Sequence, residues 1–179
     1  YDQIADKYTA QYYDDKNDLP FIDSFLKLLP SSANILDIGS GPGQFSQYIK
    51  EQGFQVQGID LSEAMLDIAG QKHPDITFTK MDMRQVDFPD DTFDGLFAAY
   101  SLIHIPSEQI PDTLTGFHRI LKPGGYLHVI AQQGKPDQLL DEPFQPGAKI
   151  FMNFFTKERL ETFLSDTGFT IVDNQQTPS

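Results

Sequence analysis

The sequence predicts an α/β protein with a doubly wound, mostly parallel β-sheet. From about residue 33 onward, short apolar runs rich in β-forming residues alternate with segments of helical periodicity, which is typical of βαβ units. The chain has 179 residues and 39% of them are hydrophobic, so it fits one domain with a core of its own. It contains no Cys, which excludes disulfides and thiolate metal sites.

Two helices are expected before the sheet. Residues 2–13 and 20–29 have helical patterns, and Pro20 and Pro30 mark the beginning and end of the second one. We expect both helices to cover one side of the sheet.

The strands are short apolar runs, and the fourth is apolar almost throughout, as expected for a strand that is buried on both faces. Between the strands, apolar residues recur at three- and four-residue steps, which places them on one face of a helix. The predicted strands are 33–38, 54–59, 76–80, 93–99, 126–131 and 169–172.

Capping residues mark the helix boundaries. Ser62, Ser107 and Thr156 each precede a helical pattern and are the expected N-caps. Gly53 and Gly168 follow such patterns and are the expected C-terminal caps. The segment 132–155 interrupts the alternation and is rich in proline, and it is long for a connection. We expect it to be either a lid or a disordered segment.

The chain is strongly acidic. It has 13 Lys and Arg against 26 Asp and Glu, a formal net charge of −13. Phosphate contacts need clustered cations, so this charge argues against a nucleic-acid partner. The longest apolar stretch, residues 95–105, has about half the length of a membrane span. We therefore expect a cytoplasmic protein with neither a membrane nor a nucleic-acid partner.

Three alternate glycines, Gly39, Gly41 and Gly43, follow the first strand, where ligands meet the carboxyl ends of parallel strands. The dinucleotide pattern G-x-G-x-x-G does not fit, because its last position falls on Gln44 or Ser46. The Gly-Lys-Ser/Thr of a P-loop is absent as well. A tight turn and a ligand-binding loop both stay open at this point.

Asp60 lies 21 residues after Gly39, at the end of the second strand. A carboxylate there can accept hydrogen bonds from both hydroxyls of an adenosine ribose. The alternative is a carboxylate that is stabilised by the start of the helix at Ser62. Together with the glycine turn, Asp60 favours a ligand with a ribose.

The chain resembles the class I S-adenosylmethionine-dependent methyltransferases, especially the small-molecule branch often labelled methyltransferase type 11. The resemblance covers nearly the whole chain. It rests on DIGSGPG at residues 37–43, GIDLSEAML at 58–66, FDGLF at 93–97 and RILKPGG at 119–125. It implies a Rossmann-like fold, and the chain stops before the antiparallel strand with which the family usually ends. We therefore expect that final strand to be missing or truncated.

The resemblance also implies S-adenosylmethionine as the cofactor. It assigns the methionine portion to the glycine turn, the ribose to Asp60 and the adenine to residues that follow the second and third strands, with Tyr8 closing over the cofactor. The implied cofactor-binding residues are Tyr8, Asp37, Gly39, Ser40, Gly41, Gly43, Asp60, Leu61, Met65, Asp82, Met83 and Ala98.

A single methyltransferase domain is expected over residues 1–179. Its parts are N-terminal helices over the cleft (1–30), a cofactor-binding core (31–131), a segment expected to be a substrate lid or packing for the last helix (132–155), and the last helix and strand (156–179).

Methyl transfer from a sulfonium is an in-line displacement, so alignment and exclusion of water matter most. His104, just after the fourth strand, is the candidate general base; its alternative role is packing the turn before Pro106. Tyr12, Tyr100 and His104 are the candidate acceptor-binding residues. No metal is expected, because the four histidines lack ligand spacing.

We expect methyl transfer to an O, N or C nucleophile of a small molecule. Three alternatives are weighed: a non-catalytic module that binds S-adenosylmethionine or S-adenosylhomocysteine, a protein or nucleic-acid methyltransferase, and an NAD-dependent oxidoreductase. The net charge disfavours the second, and Gln44 and Ser46 disfavour the third. The sequence identifies neither the acceptor nor the oligomeric state.

Overall fold

In the computed structural model, which describes residues 2–176, five parallel strands form one sheet in the order β3-β2-β1-β4-β5. Tyr1 and residues 177–179, at the two ends of the expected domain, lie outside the described residues. The sheet consists of β1 (Asn34–Ile38), β2 (Gln55–Asp60), β3 (Thr77–Lys80), β4 (Phe93–Ala99) and β5 (Leu121–Ile130).

Helices cover both faces of the sheet, so it is doubly wound as predicted. α2 and α3 pack on one face in a cluster with Ile35 and Phe97, and α5 and α6 pack on the other with Leu36 and Leu96. The helices are α1 (Ala5–Tyr12), α2 (Leu19–Leu26), α3 (Gln44–Glu51), α4 (Glu63–Lys72), α5 (Ile110–Ile120) and α6 (Lys157–Asp166).

Most of the predicted caps are confirmed. The backbone N–H of Met65 donates to the Ser62 hydroxyl at 3.2 Å, and that of Arg159 donates to the Thr156 hydroxyl at 3.2 Å. The prediction for Ser107 is wrong, because a short 3₁₀ helix (Ser107–Gln109) precedes α5. The Ser107 side chain instead bonds Asp137 and Arg159.

The predicted sixth strand, 169–172, is also wrong: these residues form no strand. Phe169 packs its ring against His118 of α5, with ring centroids 5.2 Å apart, rather than entering a ladder. Within residues 2–176, β5 pairs only with β4, and the sheet has no antiparallel strand. β5 also begins earlier than predicted, at Leu121, with an irregular register before Tyr126.

The segment 132–155 is ordered, which contradicts the disordered alternative. It contains the antiparallel hairpin of β6 (Gln138–Asp141) and β7 (Lys149–Met152). Asn153 fastens the hairpin to the residues after β4, since its N–H donates to the Ile103 carbonyl at 2.7 Å and its side-chain amide to the Ile105 carbonyl at 2.7 Å. Across residues 2–176, no helix combines the length and apolar character needed to cross a bilayer.

Candidate active site

The glycine turn follows β1 and lies between the end of β2 and the residues that follow β4. The N–H groups of Gly39 and Ser40 both donate to the carbonyl of Ile59 at the end of β2, at 2.8 and 2.9 Å. Gly39 has a φ of +73°, and a Cβ built on it would lie 2.5 Å from the Cβ of Ser101. Position 39 therefore has no room for a side chain, and the turn lies directly against the residues that follow β4.

Asp60 holds this turn from the neighbouring strand. Its two carboxylate oxygens accept the backbone N–H groups of Gly41 and Ser62, each at 2.9 Å. Burial raises the pKa of Asp60, and the backbone hydrogen bonds act in the opposite direction. Because each carboxylate oxygen can accept more than one hydrogen bond, Asp60 can still receive ligand hydroxyls.

Asp37 supports the turn from behind instead of facing the cleft. It is 2% exposed, and its carboxylate accepts the Ser46 hydroxyl of α3 at 2.6 Å. Burial raises the pKa of Asp37 to about 7, against the lowering effect of the Ser46 hydrogen bond. At neutral pH this carboxyl is therefore partly protonated, and its hydrogen bond with Ser46 ties β1 to α3.

The other end of the cleft contains a charge pair that the sequence analysis missed. The guanidinium of Arg84 donates from Nε to both carboxylate oxygens of Asp82, at 2.9 and 3.0 Å, and from Nη1 to the side-chain oxygen of Gln109 at 3.1 Å. Arg84 lowers the pKa of Asp82. The predicted adenine-binding carboxylate is therefore charged and already oriented.

Tyr100 and His104 form the wall that follows β4. Tyr100 has a φ of +54°, and its hydroxyl donates to Asp18 at 3.1 Å. The Nδ1 of His104 lies 3.4 Å from the carbonyl oxygen of Phe151, and burial lowers the pKa of His104. A carbonyl oxygen only accepts, so Nδ1 carries the hydrogen and Nε2 carries the lone pair of the neutral ring.

α1 and the hairpin meet above the cleft. The rings of Tyr8 and Tyr12 each pack against Phe144, with centroids 6.3 and 6.1 Å apart, and Lys7 donates to the Phe144 carbonyl at 2.9 Å. Burial raises the pKa of Tyr8 to about 12. Tyr8 is therefore a neutral phenol over the cleft at physiological pH.

These elements enclose a cleft of about 260 Å³. Ten of the predicted residues line it: Tyr8, Gly39, Gly41, Asp60, Leu61, Met65, Asp82, Met83, Tyr100 and His104. The lining residues that the sequence analysis missed are Ile59, Met81, Arg84, Ala99, Ser101 and Ile105. The predicted residues that do not line it are Tyr12, Asp37, Ser40, Gly43 and Ala98.

The residues of the cleft fit an adenosyl ligand. Ser101 lines the cleft, and its buried hydroxyl has no hydrogen-bond partner within residues 2–176. An unpaired buried hydroxyl is costly, so a polar ligand group there stabilises the site. Asp60 can accept ribose hydroxyls, and Leu61 and Met65 supply apolar surface for a base.

Comparison with known proteins gives a consistent result. A family model described as "Methyltransferase domain" matches residues 35–125, about half of the chain. A protein of Synechocystis sp. named as an uncharacterized methyltransferase is 30% identical over 77% of this chain and 67% of its own length. The demethylmenaquinone methyltransferase of Chlorobaculum parvum is 35% identical over 54% of this chain, which spans only 39% of that relative.

A solved structure of similar fold is a SAM-dependent methyltransferase from Methanosarcina mazei. It has a TM-score of 0.74 and 21% sequence identity, and the match covers 83% of each chain. At this identity the likeness concerns the fold.

Proposed function

The chain belongs to the class I S-adenosylmethionine-dependent methyltransferases, and on that premise we propose that it methylates a small-molecule acceptor and releases S-adenosylhomocysteine. One observation carries the proposal: a single cleft joins the glycine turn and Asp60 to Tyr100, Ser101 and His104. Residues suited to an adenosyl ligand thus lie beside residues suited to an acceptor. The name of the Chlorobaculum parvum relative, which is a methyltransferase of demethylmenaquinone, supports a small-molecule acceptor.

The cofactor would be held along the carboxyl edge of the sheet. The glycine turn would receive its methionine portion, Asp60 its ribose, and Leu61, Asp82 and Met83 its adenine. When bound, S-adenosylmethionine would supply an electrophilic methyl carbon, to which an in-line nucleophile would bond as the methyl–sulfur bond breaks and S-adenosylhomocysteine leaves. The residues of the chain then have to orient the acceptor, exclude water and move its proton.

In this proposal, α1 and the β6–β7 hairpin exclude water from the site. The contacts of Phe144 with Tyr8 and Tyr12, and of Lys7 with the Phe144 carbonyl, join these two elements over the cleft. We propose that the segment 132–155 is the substrate lid. A closed cover strengthens the electrostatic interactions inside the site and keeps water from competing with the acceptor.

In this proposal, His104 accepts the proton of the acceptor. Burial lowers its pKa, so the ring is neutral near pH 7 and can accept a proton from an O–H or a protonated amine. Its contact with Phe151 of β7 links the orientation of the ring to the position of the hairpin. We assign His104 as the general base for this reason.

We also propose a cellular location for the enzyme and the absence of nucleic-acid and membrane partners. The net charge of −13 disfavours a nucleic-acid partner. We place the enzyme in the cytoplasm without a membrane partner.

Calorimetric titration of S-adenosylmethionine, S-adenosylhomocysteine and NAD tests the cofactor. Both adenosyl ligands should bind the wild type and NAD should not. Asp60→Ala removes hydrogen bonds to a charged acceptor, worth about 1.5–3 kcal/mol each, so affinity should fall by about tenfold or more. Asp67→Ala, on the exposed face of α4, is the matched control and should bind normally. Binding of NAD, or of neither adenosyl ligand, would refute the proposal.

A further inference from the structure

Asp18 is a carboxylate whose charge is only weakly compensated in the fold. It immediately precedes α2 but makes no side-chain hydrogen bond to the first turn of that helix. It lies within 4.0 Å of no Lys or Arg nitrogen in the described part of the chain. Its contact is the Tyr100 hydroxyl, which donates to Oδ1 at 3.1 Å. Apart from the Tyr100 hydroxyl and the positive end of the short helix α2, nothing in the described residues compensates this charge.

Asp18 lines a second cavity, of about 670 Å³, next to the cofactor cleft. Tyr100 lines both spaces, so a molecule beside Asp18 is separated from the cleft by one side chain. Phe21 and Phe154 give the cavity apolar walls, and Gln132 contributes an amide. This size and lining suit a small organic molecule with a few polar groups.

The charges around Asp18 favour a cation. Asp18 is half-buried, and burial together with Asp15 raises its pKa, as expected where negative charge is incompletely compensated. Lys157 and Asp173 also line the cavity, and their charges offset each other. A protonated amine that donates to the Asp18 carboxylate would relieve this excess negative charge.

Resting on the methyl transfer proposed above, we propose that the acceptor carries a basic amine, whose ammonium group binds the Asp18 carboxylate from the cavity, next to Tyr100. Asp18 is then a specificity-determining residue. An anionic acceptor would meet a like charge at this position, and a neutral one would leave the charge of the carboxylate uncompensated. The amine anchors the acceptor next to the cofactor cleft.

Matched probes test this inference without knowledge of the natural acceptor. One set is 2-phenylethylamine, 2-phenylethanol and 3-phenylpropanoate, and the other is hexylamine, hexan-1-ol and hexanoate. Their dissociation constants are measured by ligand-detected NMR on protein saturated with S-adenosylhomocysteine. In at least one set the amine should bind about tenfold more tightly than its alcohol, as a charge-assisted hydrogen bond implies, and the carboxylate should bind weakest.

Three variants identify the cause. Asp18→Asn should abolish the preference for amines, and because Asn is equally suited to a position before a helix, α2 should stay folded. Asp18→Glu keeps the charge and should retain most of the preference. Asp14→Asn makes the same change in net charge at an exposed position and should change nothing. Unchanged affinity for S-adenosylhomocysteine verifies that each variant is folded.

The outcomes separate this inference from the proposed function. If the wild type binds S-adenosylhomocysteine but no amine, or binds amines and alcohols alike, the amine acceptor is wrong and methyl transfer stands. The same holds if Asp18→Asn keeps the preference for amines. If S-adenosylhomocysteine itself fails to bind, the proposed function fails and this inference fails with it.

Discussion

The contact between Gly39 and Ser101 predicts a large effect of one added methyl group. Gly39 has a φ of +73°, and a Cβ at this position would lie 2.5 Å from the Cβ of Ser101. A left-handed backbone costs a residue with a side chain about 1–2 kcal/mol, and overpacking costs about 1–3 kcal/mol. We therefore expect Gly39→Ala to lower the free energy of unfolding by about 2–5 kcal/mol.

Gly41 separates these two contributions within the same turn. Its φ is +51°, but a Cβ built on it would meet no heavy atom within 4 Å. Gly41→Ala should therefore cost only the backbone contribution, about 1–2 kcal/mol. Its N–H can still donate to Asp60 in the variant, so the hydrogen bond that holds the turn is retained.

A double-mutant cycle isolates the steric part. Ser101→Gly removes the atom that a Cβ at position 39 would meet. In the Ser101→Gly background, Gly39→Ala should therefore lower the free energy of unfolding by about 1–3 kcal/mol less than it does in the wild type. Urea unfolding of the wild type, the two single variants, the double variant and Gly41→Ala gives the free energies. The reasoning is refuted if Gly39→Ala costs no more than Gly41→Ala, or if the coupling stays within the roughly 0.5 kcal/mol found for independent sites.

Two further predictions concern the support of the turn and the cover of the cleft. Because burial raises the pKa of Asp37 to about 7, the folded chain keeps a proton that the unfolded chain loses above about pH 4, so stability should fall as the pH rises from about 4 to 7. Asp37→Asn should remove this dependence of the urea midpoint on pH, and an equally steep fall in the variant would contradict it. Phe144→Ala removes ring contacts to Tyr8 and Tyr12 worth about 0.5–1.5 kcal/mol each, so the amides of α1 should exchange hydrogen faster. Leu139→Ala, at a 69% exposed position of the same hairpin, is the control, and an equal effect of both variants would argue against the contact.

The fold could be predicted where one residue pattern determines both how a strand is buried and which strands it pairs with. β4 has the bounds predicted for it, because a strand covered on both faces is apolar along its length. Residues 169–172 have a similar β-forming composition but form no strand, although the second edge of β5 carries no strand within residues 2–176, because composition alone does not bring a segment to the register that pairing requires. Phe169 packs on His118 instead. Such a partner is a property of the tertiary structure and is not encoded in the local pattern.

The same distinction applies to the site. Gly39 and Asp60 could be predicted, because parallel strands bring their carboxyl ends to one edge and a fixed spacing places both residues there. Asp18 has the local sequence context of an ordinary residue before a helix, and its hydrogen bond to Tyr100 joins residues 82 positions apart. Arg84 is separated from Asp82 by only one residue. An acid followed two residues later by an Arg would have been a usable signal for that pair.

Asp37 lies near the end of β1, Asp60 lies at the end of β2, and both support the glycine turn. Of the two, only Asp60 lines the cleft. Asp60 contributes to the elevated pKa of Asp37, so the two carboxyl groups interact electrostatically through the turn. Asp60 also holds the Gly41 N–H, so Asp60→Ala changes both the ligand contact and the turn itself. Asp37→Asn disturbs the turn from behind without touching the cleft. If Asp60→Ala weakens S-adenosylmethionine binding much more than Asp37→Asn does, the loss belongs to the ribose contact; equal losses would assign it to the shape of the turn.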